Sequence, residues 1–436
     1  MNEPVESASA PPRTGRPPGP EPDPGPEPHP RPGPGLTRRT ALVLAFTSAV
    51  TAANVYLNQP LLGAAADSFG VSPDVLGAVP TATQLGYAAG ILLLVPAGDS
   101  HDRRRLILGL GAASALALAA CALAPTVTWL VVAGFAVGLL SPVPQLVTPL
   151  AVALAAGGGE AGRGRVVGTV QAGLLVGVLT SRAYAGALAE QVGWRAVFGC
   201  SCVLTLLTVL VLRRALPRVP AVAAASYRST LASLPRLFAA HPVVRRITVS
   251  GALVGIAFGA FWTTLTFLLE GEYGYGSTEI GLFGLVAAAS ALASPYAGRL
   301  ADRLGRRGAM AALIGLVIVG WLLLLPSGSG LAWLLLLPGG SGLAWLLAGV
   351  VVLDVGVWGS QAASQAALFG LDPAVHSRLN TLYFTLRFLG IAVGSLAGTV
   401  AWSGGGWPAV VATGATTALA GLLVAVSPDR LRRRRP

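Results

Sequence analysis

Apolar residues in this chain come in long blocks rather than in alternation. Twelve blocks lie near 40–62, 75–97, 106–124, 128–153, 165–188, 195–213, 246–269, 278–297, 308–325, 343–367, 379–401 and 408–426, and polar turns separate them. A bilayer core is ~30 Å thick, so a spanning helix takes about 20 residues. Residues 106–124 (LILGLGAASALALAACALA) and 408–426 (PAVVATGATTALAGLLVAV) carry no charge at all. Lipid offers a backbone no hydrogen bonds, and a helix satisfies its own. The pattern therefore predicts an all-α polytopic membrane protein with twelve transmembrane helices. The longest gap, 214–245, divides them into two six-helix halves, 39–213 and 246–427.

Composition agrees with that reading. Charged residues make up 11 % of the chain and hydrophobic ones 53 %, against about 25 % charged in a soluble domain. The 56 glycines suit close approach between membrane helices. A net charge of +12 raises the question of a nucleic-acid partner, but the charge is distributed otherwise. One set of loops holds Arg103 to Arg105, Arg163, Arg165, the arginines of 214–245, Arg299 to Arg307 and Arg378, and both tails lie on that side, the C-terminal one ending in LRRRRP. The opposite set holds Asp67, Asp74, Glu190, Glu270, Glu272 and Glu279, with Arg195 alone for a cation. By the positive-inside rule both termini are expected in the cytoplasm, and the cations serve orientation rather than nucleic acid.

Residues 1–38 are Pro-rich and poor in apolar side chains, which predicts a disordered cytoplasmic tail. They lack the apolar stretch of a signal peptide. Residues 428–436 form a second, basic tail. Between 322 and 345, LLLLPSGSGLAW is followed at once by LLLLPGGSGLAW, a duplication expected to lengthen one outer loop. Cys121, Cys200 and Cys202 all fall in apolar runs, so neither a disulfide framework nor a metal site is expected.

Two charged clusters interrupt the apolar pattern about half a chain apart. Residues 298–307 read GRLADRLGRR, and residues 95–105 read VPAGDSHDRRR. Each falls in the turn after the second helix of its half, as expected of a duplicated transporter unit. The second cluster resembles the loop motif G-x-x-x-D-R-x-G-R-R of the major facilitator superfamily through Gly298, Asp302, Arg303, Gly305, Arg306 and Arg307. In the first, Asp99, Arg103 and Arg104 match, while Val95 and Asp102 replace the glycines. Further short segments, Asn58-Gln59-Pro60, Gly193-Trp194-Arg195 and Arg378-Leu379-Asn380-Thr381, resemble bacterial twelve-helix drug-efflux-type members. The resemblance implies that Asp99 lies near residue 379 and Asp302 near residue 165, as latches between the halves. It implies a bacterial cytoplasmic membrane, a small-molecule substrate, protons as the coupling ion, and a monomer. The fifth helix keeps Gly173 and Gly177 of an antiporter pattern but has Val178, Ser181 and Arg182 where further family residues stand.

Ionisable residues at membrane depth are costly and mark function by default. Three lie inside predicted spans: Arg182, Asp354 and Arg387. Asp354, mid-way along the tenth helix, is the candidate for proton coupling; a structural pair with Arg387, or a local cap or cavity-wall role, are alternatives. Arg182 could attract an anionic substrate or pair with an acid. The resemblance places helices one, four, seven and ten around a central cavity. Cavity candidates are then Asn54, Tyr56, Asn58, Gln59, Gln145, Phe261, Trp262, Trp358 and Gln361, a lining that suits a modestly polar organic molecule. Pro60, Pro142 and Pro144 can bend the first and fourth helices.

No G-x-x-x-x-G-K-[ST] signature for ATP and no H-E-x-x-H cluster occurs. The expectation is a non-enzymatic secondary transporter without a cofactor. It is expected to export a small organic compound against proton entry by alternating access. An importer or uniporter, or more remotely a transport-inactive membrane sensor, are the alternatives.

Overall fold

The computed structural model describes residues 37–155, 159–216, 226–291, 294–328, 342–372 and 375–427. Both tails and most of the 322–345 duplication lie outside these residues. The described elements are helices: α1 (Arg38–Phe69), α2 (Pro73–Leu94), α3 (Arg103–Ala122), α4 (Val127–Val152), α5 (Arg165–Val192), α6 (Trp194–Ala215) and α7 (Pro242–Gly271). Then comes α8 (Ser277–Ala291). The segment Ser294–Leu324 turns at Gly305, whose φ of 69° is a left-handed value that glycine adopts without strain; the part beyond, 306–324, is α9. After α10 (Gly342–Phe369), the segment His376–Val426 breaks at Gly405 and Gly406 into α11 (376–404) and α12 (407–426). Ten described segments are long and apolar enough to cross a membrane. The last of them holds two arms, and the shorter apolar helix beginning at Ser277 supplies the twelfth.

Helix boundaries follow the apolar blocks to within about four residues, except that α1 runs on past its block to Phe69 and α8 stops short of its block at Ala291. The prolines act as expected. Pro60 sits in a 3₁₀ turn, Gln59–Leu61, that interrupts α1. Ser141 and Pro142 separate the two helical parts of α4. One element has no counterpart in the sequence reading: within the linker, Tyr227–Ala240 is a helix. It buries Thr230 and Leu234 alone, too narrow an apolar stripe to stand out. It is tied down by the Tyr227 hydroxyl, which donates to the Leu93 carbonyl at 2.9 Å.

The packing repeats between the halves. α1 packs on α5, and α7 packs on α11. Two seams join the halves, α2 on α11 and α5 on α8, and they exchange under the same correspondence. Small residues allow these approaches. Gly173 and Gly177 of α5 meet the backbone of Ala45 and Ala49, and Gly390 and Gly394 of α11 meet the backbone of Ala252 and Ile256. The outer flank of α6 leaves Val203, Leu207, Leu210 and Val211 exposed, an apolar face suited to lipid tails.

Local chemistry explains why the two charged loops differ in sequence. Asp102 caps α3: its Oδ1 accepts from the backbone N–H of Arg104 at 2.9 Å and of Arg105 at 3.3 Å. The equivalent position in the second half is Gly305, where the chain turns through a left-handed φ instead. A capping carboxylate and a glycine turn are two ways of starting a helix at the same place.

The even helix count brings both ends of the chain to one face, called here the termini face. On the opposite face the Ser403 hydroxyl of α11 donates to Asp74 Oδ2 of α2 at 3.1 Å, and Gly186 of α5 lies against the Ser277 carbonyl of α8. The halves are therefore in close contact there. On the termini face Asn380 Nδ2 of α11 donates to Gln145 Oε1 of α4 at 3.4 Å.

Candidate functional site

A cavity of about 230 Å³ opens between the halves, bounded by α1, α2, α4, α5, α7, α10 and α11. Four of the expected lining residues are there: Tyr56, Gln145, Trp358 and Gln361. Arg387 of α11 also faces it. The structure adds Tyr87, Gln171, Phe258, Gln365, Phe384 and Phe388. The Tyr87 and Phe388 rings meet edge to face with centroids 4.5 Å apart, closing one wall across the α2–α11 seam. Sequence spacing could have found some of these. Gln361 and Gln365 are four apart and share a helix face, and Gln171, Leu174, Leu175 and Val178 fall on one face of α5. The lining is aromatic and aliphatic, with amides at a few points and one cation.

Next to the cavity, on its side away from the termini face, lies a cluster of buried charge. Asp354 of α10 is 1 % exposed, and its Oδ1 has no hydrogen-bond partner. Arg182 of α5 is the cation that acts on it, and the Trp262 and Trp358 indoles stand beside the carboxylate. The Trp262 Nε1–H falls short of hydrogen-bond geometry and is unpartnered. Arg182 is itself held from three sides. Its Nε donates to Gln59 Oε1 at 2.7 Å, and its guanidinium carbon lies 3.8 Å from the centre of the Trp262 ring and 5.2 Å from that of Tyr56. Its Nη2 has no partner. Cation–π contacts of this kind hold a desolvated guanidinium in place. Tyr56 lies in the combined field of Arg182, Arg387 and Asp354, so its ring is the partition between cluster and cavity.

Asp354 and Arg182 belong to different halves, so their attraction is an interhalf contact. Gln59 extends it, because its backbone carbonyl accepts from the Thr266 hydroxyl of α7 at 2.9 Å. Asp354 and Arg387 are not in ion-pair contact, although α10 and α11 are consecutive. Arg387 is 3 % exposed with Nη1 unpartnered.

The remaining expected residues serve elsewhere. Asn54 donates to the Thr205 hydroxyl of α6 at 3.1 Å, and Asn58 to the Thr83 hydroxyl of α2 at 3.0 Å. Phe261 packs edge-on against Trp321 at 5.9 Å. None of the three lines the cavity. In the charged loops, the side chains of Asp99 and Asp302 lie outside what the structure describes, and Gly298 stands within the helical segment Ser294–Leu324. Arg103 Nε donates to the Gly98 carbonyl at 2.9 Å, and Arg104 Nη2 to the Arg213 carbonyl at 2.7 Å. Arg306 lies against Gly370 at the end of α10, where a cation offsets the negative end of the helix dipole. Arg303 is exposed. All three cysteines are free thiols, and among the described residues no group of three or more His, Cys, Asp or Glu could hold a metal.

A model of the Major Facilitator Superfamily matches residues 44–394. The chain is 36 % identical over 384 residues to the uncharacterized transporter YgaY of Escherichia coli O157:H7, covering 88 % of this chain and 94 % of that protein. It is 34 % identical over 391 residues to a probable transporter of Streptomyces coelicolor, covering 89 % and 87 %. Among solved structures it is similar to a bacterial homologue of the human lysosomal transporter Spinster in an inward-facing, unoccupied conformation. There the TM-score is 0.64 at 15 % identity, over 89 % of this chain and 94 % of that one. The nucleoside transporter NupG gives a TM-score of 0.66 at 13 % identity, over 89 % and 97 %.

Proposed function

Because the chain belongs to the major facilitator superfamily of membrane transporters, we propose that it moves a small organic compound through the interhalf cavity by alternating access, exporting it in exchange for protons. The observation that carries this reading is Asp354. A carboxylate 1 % exposed, with an oxygen left unpartnered, is a costly group to keep at membrane depth, and such groups mark proton paths. Its position links the proton to motion. Protonating Asp354 removes its attraction to Arg182 across the halves, and the chain Arg182–Gln59–Thr266 then loses one anchor. Rocking of one half against the other can follow. The close contacts opposite the termini face and the cavity on the termini side of Asp354 fit a transporter facing inward, with both termini in the cytoplasm by the arginine distribution. The cell membrane would then be the bacterial cytoplasmic one, with a single chain sufficient for transport. Asp99 and Asp302 remain assigned, on the loop motif, as latches between the halves.

Arg387 gives one ground for a second reading, transport inward. An anion seated at Arg387 and a proton on Asp354 would offset each other's charge and travel together. Flux in proteoliposomes under an imposed pH gradient separates the cases. Export reading: the compound moves against proton flow. Second reading: it moves with the protons. Flux that ignores the gradient contradicts both.

A further inference from the structure

We propose that the substrate is an organic anion, a carboxylate with an apolar or aromatic body, whose carboxylate pairs with Arg387. This rests on the cavity being the transport site, as read above. Among the described residues Arg387 is the one charged residue in the cavity wall. It is 3 % exposed, its Nη1 has no partner, and no described carboxylate pairs with it. A guanidinium cannot shed its charge, since it stays protonated in proteins. A cation at membrane depth needs a counter-charge or a set of hydrogen bonds; among the described residues Arg387 has no carboxylate in ion-pair contact, and its Nη1 has no hydrogen-bond partner. Asp354, the acid whose field reaches Tyr56 together with that of Arg387, is engaged by Arg182. Around Tyr56 there are thus two cations and one anion, and a bound monoanion would close that balance.

The rest of the wall fits the rest of such a molecule. A guanidinium presents paired N–H donors in a plane that matches both oxygens of a carboxylate. Gln361 and Gln365, one turn apart, supply amides for further polar groups. Tyr87, Phe384 and Phe388 offer ring faces and edges for an apolar body. A cationic substrate would meet Arg387 with no carboxylate among the described wall residues to receive it. The cavity, at about 230 Å³, sits below the ~300–1,000 Å³ typical of ligand pockets, so the body is small.

Binding to the purified full chain in lipid nanodiscs tests this, read by quenching of tryptophan fluorescence and by calorimetry. The probes are benzoate, cinnamate and 2-naphthoate, each beside its neutral amide and its ammonium counterpart. At least one carboxylate is expected to bind about tenfold or more tightly than its amide, the range for losing a charged hydrogen bond, and the ammonium compounds to bind less still. Arg387→Gln is expected to erase the preference, and Arg387→Lys to keep its sign. Equal or tighter binding of amide or ammonium forms overturns the proposal. So does carboxylate binding unchanged in Arg387→Gln, or no binding by any of the three carboxylates. Should Arg387→Gln fail to fold, the wild-type preference and Arg387→Lys still decide. The outcome is separable from the transport reading: carboxylates that bind while flux ignores the pH gradient defeat the coupling and leave this inference standing, and gradient-driven flux confined to amines does the reverse.

Discussion

Asp354→Asn is expected to insert, fold and bind ligand, and to lose all accumulation driven by a pH gradient. The amide keeps the shape and volume of the carboxyl group but has no exchangeable charge. If one proton moves per substrate, a gradient of one pH unit is worth about 1.4 kcal/mol, or about a tenfold concentration ratio across the membrane. Wild-type proteoliposomes held at zero membrane potential should approach that ratio, and the variant should settle at about equal concentrations on the two sides. Exchange of labelled for unlabelled substrate at equal pH should survive, because the cavity wall is untouched. The variant also leaves Arg182 facing a neutral partner. Its remaining contacts with Gln59, Trp262 and Tyr56 should hold it, so thermal unfolding in detergent should shift modestly. A variant that still accumulates substrate along the gradient would remove Asp354 from the proton path.

Gly394→Leu is expected to be among the most damaging single changes to the fold. A Cβ on Gly394 would overlap the Ile256 carbonyl of α7, and backbone cannot move aside as a side chain can. The neighbouring contacts Gly390 to Ala252 and Gly259 to Ile391 are equally close, so the whole α7–α11 seam would have to part. Overpacking commonly costs about 1–3 kcal/mol, and more where nothing can yield. Loss of most folded protein, or a steep fall in melting temperature by fluorescence-detected size-exclusion, is the expected result. Gly199→Ala is the control. Nothing lies within 4 Å of a Cβ built there, and alanine favours helix over glycine by about 1 kcal/mol, so that variant should be unchanged or slightly more stable. Equal stability of the two variants would mean that the seam is not close-packed.

The fold was largely legible because its strongest signal is local. A block of apolar residues about as long as a bilayer is thick reads as a helix whatever surrounds it. The turn at Gly305 and the breaks at Pro60 and Pro142 were legible for the same reason. The linker helix Tyr227–Ala240 was not, since only Thr230 and Leu234 are buried on it. The site was legible in its ingredients and not in its pairings. Asp354, Arg182 and Arg387 stand out by charge alone. That Asp354 feels Arg182 of the other half rather than Arg387 on the next helix depends on how the halves meet, and spacing along the chain carries no record of that. Asn54 and Asn58 were drawn towards the cavity by polarity. Each instead satisfies a buried hydroxyl on a neighbouring helix, as a buried amide needs some partner and any near helix can provide it.

The central claim is that Asp354 carries the proton that substrate binding moves. It is tested most directly by adding a ligand identified in the binding panel to purified protein in weakly buffered solution and recording protons with a pH dye. Wild-type protein should exchange protons with the solution on binding, releasing them for export against proton entry or taking them up for inward co-transport. Asp354→Asn should bind the same ligand with no proton exchanged. Equal exchange by both proteins, or binding to the wild type with none, would contradict the account.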